Sequence, residues 1–245
     1  MLAGRYWRAP FGSVRANYPD GSGVPEVQIT NPSGGILGGD RLAMDVTLAP
    51  GSAATILTQA ANKAYRGAQA RQNASFRVEE GSFLEYLPHH LIPFARSSYR
   101  QETEIHLAAN TTLIAWDAVS AGRVARGERF AFDGLSARMR IFRKNLPEVV
   151  DGFELCAGGE PFGGYSYVGA AYVLAPRDLE SLAEKLHGAL SGTPRVLASA
   201  SATAQRLCAA RVLARDATAL YRALNVFRAV ARTYLDLPPA AREIS

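Results

Sequence analysis

The chain lacks most of the signatures that mark an enzyme. It has no Ser-His-Asp order, no H-E-x-x-H, no G-x-S-x-G and no cysteine cluster, so the common nucleophilic and zinc-hydrolase templates do not apply. Phosphate loops are missing too: neither G-x-x-x-x-G-K-[ST] nor G-x-G-x-x-G occurs. The two cysteines, Cys156 and Cys208, stand without a C-x-x-C partner and are expected to be buried small hydrophobes in a reducing compartment. The first residues lack an apolar leader region, and no apolar stretch reaches the ~18 residues of a membrane span, so a cytoplasmic protein without a membrane partner is expected. Lys and Arg outnumber Asp and Glu by 27 to 22, with no basic run and no aromatic-basic interleaving, which argues against a nucleic-acid partner.

What the chain does have is a repeat. Val46–Gln59, Phe76–His89 and Ile105–Ala118 each read as a short alternating strand, a turn centred on Gly51, Gly81 or Asn110, and a second alternating strand. Gly and Asn tolerate the left-handed backbone that such turns demand. One hairpin cannot bury its apolar face, whereas several stacked hairpins can. The prediction is a mainly β fold: a stacked antiparallel β-hairpin, superhelical body over residues 1–163. A smaller C-terminal α+β part with two helices follows over 164–245. No linker rich in proline, serine and charge divides the 245 residues, so a single domain is expected.

Further strands are expected over Val24–Thr30, Arg129–Phe132, Leu135–Phe142, Tyr165–Leu174, Val196–Ser199 and Gln205–Ala214. The helices are placed at 178–190, with Leu179, Leu182, Leu186 and Leu190 on one stripe, and at 216–235. Asp216 caps the second, and its apolar face is Leu220, Leu224, Phe227 and Ala231. Arg222, Arg228 and Arg232 fall off that stripe and read as a solvated face or, less simply, a docking surface.

The densest local signal is Asn31–Asp40, N-P-S-G-G-I-L-G-G-D. It leads into a strand, so it lacks the helix N-terminus that phosphate loops use. One reading is a tight reversal needing positive φ at Gly34/Gly35 and Gly38/Gly39. The other is bare backbone that lets a second protein approach closely. The connections Ala60–Arg71 and Pro88–Arg96 carry the unusual residues, and loops on rigid scaffolds often carry function. His89 and His90 are adjacent; as neighbours in an extended strand they would face opposite sides and make a poor chelate. Asp117 lies inside an apolar run, Asp151 follows Val149-Val150, and Asp40 closes the glycine loop. A carboxylate so placed is either paired with an arginine, Arg41 and Arg123 being near in sequence, or part of a polar path or transient cation site.

With these residues in view, the chain resembles the urease accessory protein UreD, called UreH in some organisms. The carrying motifs are Asn31–Asp40, Thr58–Gly67 (T-Q-A-A-N-K-A-Y-R-G), Phe83–Pro88 (F-L-E-Y-L-P), and A-G-R followed by G-E-R-F within Ala121–Phe130. The match runs from about Pro19 to the final helix. The resemblance implies a superhelical β body with two helices and a non-enzymatic maturation factor. Such a factor binds apo-urease and recruits UreF, which carries the GTPase UreG, so that nickel reaches the urease active site. It implies no resident cofactor or stable metal, only nickel in transit, with Asp40, Asp117, Asp151, Glu85, His89 and His90 as candidate waypoints. Gly34, Gly35, Gly38, Gly39, Lys63, Tyr65, Arg66 and Arg123 are candidate partner contacts. Where the family usually carries a Gln-acid-aliphatic stretch, this chain has His89-His90-Leu91, and it begins inside the family's usual N-terminal region. The rival readings are a cytoplasmic module binding a small ligand through the glycine loop and a β-solenoid carbohydrate-active enzyme. The latter would need a paired acid and base in an open cleft.

Overall fold

The computed structural model describes residues 2–12, 15–19, 22–204 and 206–245. The repeat read from the sequence is the architecture. Strands β3 (Arg41–Leu48), β6 (Ala70–Val78) and β9 (Ser98–Leu107) precede the three turns. Strands β4 (Ala53–Thr58), β7 (Phe83–Leu87) and β10 (Thr112–Ser120) follow them. Gly51, Gly81 and Asn110 adopt φ of 67°, 70° and 54°, as the turn chemistry requires. The turns also stack, Gly51 N–H donating to Glu80 O and Gly81 N–H to Ala109 O.

The pairing, however, is parallel, not the antiparallel hairpin pairing expected. The first strand of each unit joins one sheet and the second joins another, so each turn is the corner of a coil. β3–β6–β9 run parallel in one sheet and β4–β7–β10 in the other. Partners such as Thr55↔Glu85 and Phe76↔Ile105 sit one repeat apart, 30 and 29 residues. The physical reason is that alternation alone cannot separate the two arrangements. A strand pair facing itself across a core and a pair lying side by side both place every second residue inward. Here Leu48 and Ile56, on either side of one corner, enter the same core between the sheets, with Phe76, Leu84, Ile105 and Leu113.

The first sheet has five strands, β12 (Leu146–Cys156), β11 (Gly134–Arg143), β9, β6 and β3, with β11–β12 as its antiparallel hairpin. The predicted strand at Arg129–Phe132 is instead a loop after a 3-10 turn, Val124–Arg126. The second sheet has ten strands. Its main path is β1 (Arg15–Asn17), β2 (Glu26–Ile29), β4, β7, β10, β13 (Tyr167–Leu174), β15 (Leu207–Ala214) and β14 (Val196–Ala204). The short β5 (Asn62–Ala64) and β8 (Leu91–Pro93) branch from β10. Gln205, where the last strand was expected to begin, lies outside the described residues.

Two helices cover the outer face of the larger sheet. α1 (Glu180–Ser191) buries Leu182, Leu186 and Leu190, and α2 (Ala217–Tyr234) buries Leu220, Leu224, Phe227 and Ala231, both stripes as predicted. The Asp216 carboxylate accepts from Ala219 N–H at 2.8 Å, closing the first turn of α2. Because β7 lies under α2 and over the inter-sheet core, all five of its residues are buried. Of the cysteines, Cys208 is buried as expected, but Cys156 is exposed, at the end of edge strand β12. Among the described residues no helix is long and apolar enough to cross a membrane.

Candidate functional site

The coil brings three sequence-distant motifs side by side. The glycine loop bridges to β5 at Ile36↔Ala64, and β5 pairs in parallel with β8 as Asn62↔Leu91, Lys63↔Ile92 and Ala64↔Pro93. Ile36 N–H donates to Lys63 O at 2.7 Å and Tyr65 N–H donates back to Ile36 O at 2.8 Å. Each glycine pair divides its labour. Gly34 (φ 75°) and Gly39 (φ 86°) need the positive backbone angle. Gly35 and Gly38 need bareness instead: a Cβ on Gly35 would lie 2.6 Å from Lys63 O, and one on Gly38 2.6 Å from Gly67 Cα. The close approach that bare backbone permits at these two positions is therefore made by the chain's own β5 segment. Asp40 closes the loop, its carboxylate accepting from Leu37 N–H at 2.8 Å, and it does not pair with Arg41.

Beyond β5 the chain opens a cup of about 270 Å³ lined by Tyr65, Arg66, Phe94, Ala95, Arg96 and Arg123. Tyr65 meets Phe94 edge-on at 4.9 Å, and the Arg123 guanidinium lies 4.4 Å over the Phe94 ring. Arg123 is also paired with Glu128, whose carboxyl its hydrogen bond holds below the ordinary value.

A second cavity, about 210 Å³, lies between the sheets and includes Asp117, Asp151, Tyr172, Arg211, Met139 and Gly152 in its lining. Among the described residues no arginine forms an ion pair with Asp117. Gln101 donates to its carboxylate at 2.9 Å and Ala118 N–H donates at 2.9 Å. Burial, reinforced by the charge of Asp151 and only partly offset by those two bonds, pushes Asp117 up to about 6. Asp151 does have a cation, Arg211 at 2.7 Å, and also accepts from the Tyr172 hydroxyl. The cavity thus holds two carboxylates and one guanidinium.

On the opposite face of the same sheet, Glu85 is fully buried beneath α2. It accepts from Thr55 Oγ1 at 2.8 Å, pairs with Arg228 at 2.6 Å and with Arg232 at 2.8 Å. Burial alone would raise its carboxyl, but the hydrogen bonds and charges of the two arginines outweigh that and hold it below the ordinary value. The solvated-face reading fails for Arg228 and Arg232, each 4% exposed, and holds for Arg222. The physical reason is that Glu85 supplies a buried anion 143 residues away in sequence. With its oxygens already taken by two guanidiniums and a hydroxyl, Glu85 has little capacity left for a passing cation.

His89 and His90 lie between β7 and β8 rather than in a strand, so they do not face opposite sides. Both rings pack against Tyr221, each at 5.6 Å. His90 Nδ1 meets the Tyr221 hydroxyl at 2.8 Å, and burial, then the neighbouring His89, pushes its pKa down to about 4. His89 bonds Thr58 Oγ1 and Ser245 O, and burial lowers its pKa also. Among the described residues no three His, Cys, Asp or Glu side chains group in a way that could hold a metal ion. Asp40, Glu85 and the two histidines are not in the Asp117–Asp151 cavity.

Sequence reasoning passed over Phe94, Arg96, Gln101, Tyr172, Arg211 and Tyr221. Arg96 carried a usable signal, because it ends the Pro88–Arg96 connection already singled out. Arg211 and Tyr172 could not be matched to Asp151 before the antiparallel register of β13 and β15 was known, which sets Ala170 against Arg211 and Tyr172 against Ala209.

The sequence model of the family described as "UreD urease accessory protein" matches residues 1–245. The Urease accessory protein UreD of Trichormus variabilis is 37% identical over 153 residues, 62% of this chain and 55% of that protein. That of Dechloromonas aromatica is 38% identical over 158 residues, 63% and 54% respectively. That of Cenarchaeum symbiosum is 32% identical over 227 residues, 84% and 79%. In the first two alignments the chain spans about half the length of the curated relative. With the motifs set in the glycine loop, the β5 segment, β7 and the loop after β10, the family model's match over residues 1–245 places this chain in the UreD urease accessory protein family.

Proposed function

We propose that the chain is a non-catalytic scaffold in urease maturation. It binds apo-urease and recruits UreF, and through UreF the GTPase UreG, for GTP-dependent insertion of nickel. The observation that carries this reading is the family match over residues 1–245. The partner-facing surface includes Gly34 and Gly39, where nothing would meet an added Cβ within 4 Å, together with Lys63, Tyr65, Arg66 and Arg123 beside them. Tyr and Arg are the residue types that most often anchor interfaces.

In this reading nickel is cargo, and its way through the body runs past Asp117 and Asp151. Asp117 supports that role because its carboxylate meets two hydrogen-bond donors and no cation. A divalent ion entering the cavity relieves an uncompensated charge there, whereas at Glu85 it would compete with two arginines. Oxygen ligands in small number hold nickel weakly, which suits passage better than storage.

The test is co-purification from cells making the urease subunits, UreF and UreG, with urease nickel content measured on the same samples. Tyr65→Ala combined with Arg66→Ala should weaken complex recovery while leaving the melting temperature near that of the parent. Asp117→Ala and Asp151→Ala should lower nickel content while the complex is still recovered. Failure of the parent chain to recover any urease component would overturn the scaffold reading. Normal nickel loading in both aspartate variants would overturn the route.

A further inference from the structure

The cup beside β5 is unusually rich in positive charge for its size. Three guanidiniums, from Arg66, Arg96 and Arg123, line it against one neighbouring carboxylate, Glu128. Glu128 is already committed: it bonds Arg123 and also accepts from Ala95 N–H, so it serves the wall of the cup rather than its opening. Arg66 and Arg96 are both exposed, and neither side chain makes a hydrogen bond or ion pair among the described residues.

Arg96 is held in place by its backbone. Its N–H donates to Ala131 O at 2.8 Å, its carbonyl accepts from Gly67 N–H at 3.3 Å, and its φ is 58°, a left-handed angle uncommon for a side chain of this size. Those two bonds fix the direction in which Arg96 leaves the chain, and they tie it to the residue after Arg66. The floor is aromatic and equally fixed, since Tyr65 and Phe94 meet edge to face and Arg123 covers Phe94. A planar guanidinium presents two parallel N–H groups, the geometry that fits a carboxylate. Arg123 turns Nε and Nη2 to Glu128, which leaves Arg66 and Arg96 to offer theirs at the opening.

We propose that the cup formed by Tyr65, Arg66, Phe94, Arg96 and Arg123 is a carboxylate-recognition site that takes an acidic peptide segment of a protein partner. Charge complementarity selects the occupant: two unpaired guanidiniums call for anionic oxygens, and the half-buried Tyr65–Phe94 pair offers apolar contact to the rest of the segment. The proposal rests on the reading of the Lys63–Arg66 segment as partner-facing. Its test uses no urease protein, so the two can fail separately.

The probe is a fluorescein-labelled peptide with glutamates on both sides of a phenylalanine, set against its glutamine counterpart and titrated with the full chain by fluorescence anisotropy. The glutamate peptide should bind and weaken with added salt, and the glutamine peptide should bind at least about tenfold more weakly. Arg66→Met with Arg96→Met should reduce binding by at least about tenfold, the scale expected when charge-assisted hydrogen bonds are lost. Arg138→Met, exposed on the other sheet, should leave it unchanged. Equal binding of the two peptides by the parent would overturn the proposal without reference to any variant. So would an unchanged affinity in the double variant at an unchanged melting temperature. Inorganic phosphate competing far better than chloride at matched ionic strength, while acetate does not compete, would overturn it in favour of a free-anion site.

Discussion

Glu85 and Asp117 sit on the two faces of one sheet, and their surroundings could hardly differ more. Both lie in apolar runs, F-L-E-Y-L and L-I-A-W-D-A-V, and nothing local separates them. Strand alternation sends Glu85 outward, under α2, where Arg228 and Arg232 meet it in a closed ion-pair cluster. It sends Asp117 inward, to a cavity where, among the described residues, only neutral groups donate to it. The same residue chemistry therefore does opposite things. Glu85 fastens a helix to the coil through charges satisfied within the protein. Asp117 keeps a charge the fold leaves uncompensated, which costs stability and leaves an acceptor free for something else.

The comparison breaks most sharply at Glu85. Glu85→Gln leaves two buried guanidiniums without their anion and should destabilise the chain by roughly 3–5 kcal/mol, read from denaturant unfolding at neutral pH. Because the folded carboxyl lies below its ordinary value of 4.5, the parent draws this stability fully above that pH and loses it as pH falls below it. A loss under about 1 kcal/mol would mean that α2 is held by its apolar stripe alone.

Asp117→Asn should act in the other direction. With its pKa raised from 3.8 to about 6, the folded state holds the proton more tightly than the unfolded chain. The group's charge therefore penalises folding increasingly as pH rises from about 4 to 6, and constantly above that. Asparagine preserves the bonds to Gln101 and Ala118 N–H and removes the charge, so the variant should be more stable than the parent by roughly 2–3 kcal/mol at pH 7. The difference between variant and parent should vanish below about pH 4. Taking the difference also cancels the opposite contribution of His90, whose lowered pKa favours the fold above its ordinary value of 6.5 and weakens it as pH falls toward about 4. A neutral-pH melting temperature unchanged by the substitution would show Asp117 already compensated.

How much of this was legible in the sequence follows the same division between local and distant causes. The corners at Gly51, Gly81 and Asn110, the Asp216 cap and both leucine-rich stripes were readable, because each depends on residues within a turn or two of one another. The parallel direction of pairing was hidden in alternation, which looks alike in a coil and a hairpin, although the 30- and 29-residue spacing was its trace. The buried partners of Glu85 were unreadable, since Arg228 arrives from 143 residues away, with Arg232 one turn further on, on a helix whose arginines look solvated by sequence alone. At Asp151, where an arginine partner was one of two readings left open, the arginine present is Arg211 of β15 and not one near in sequence. In the glycine loop, pattern identified the need for glycine, while only the packing of Lys63 and Gly67 against it tells which two need bareness rather than a left-handed angle.

The smallest effect tests whether Asp40 belongs with either carboxylate. Among the described residues it pairs with no arginine, unlike Glu85, and it is not in the cavity that Asp117 shares with Asp151; its carboxylate closes a turn by accepting from Leu37 N–H at a half-exposed position. A single such bond contributes about 1 kcal/mol, so Asp40→Ala should lower unfolding free energy by about that amount. Asp40→Asn should recover most of it, since an amide oxygen can accept the same N–H. The backbone bond from Arg71 N–H to Asp40 O survives both substitutions and keeps β3 in register with β6. Urease nickel content should then be unchanged in both variants at equal complex recovery, while Asp117→Ala lowers it. If Asp40→Ala and Asp40→Asn instead lowered nickel content to the same degree, with the melting temperature of the asparagine variant intact, charge at the glycine loop rather than turn geometry would be what matters. The route would then begin at the loop and not at the cavity between the sheets.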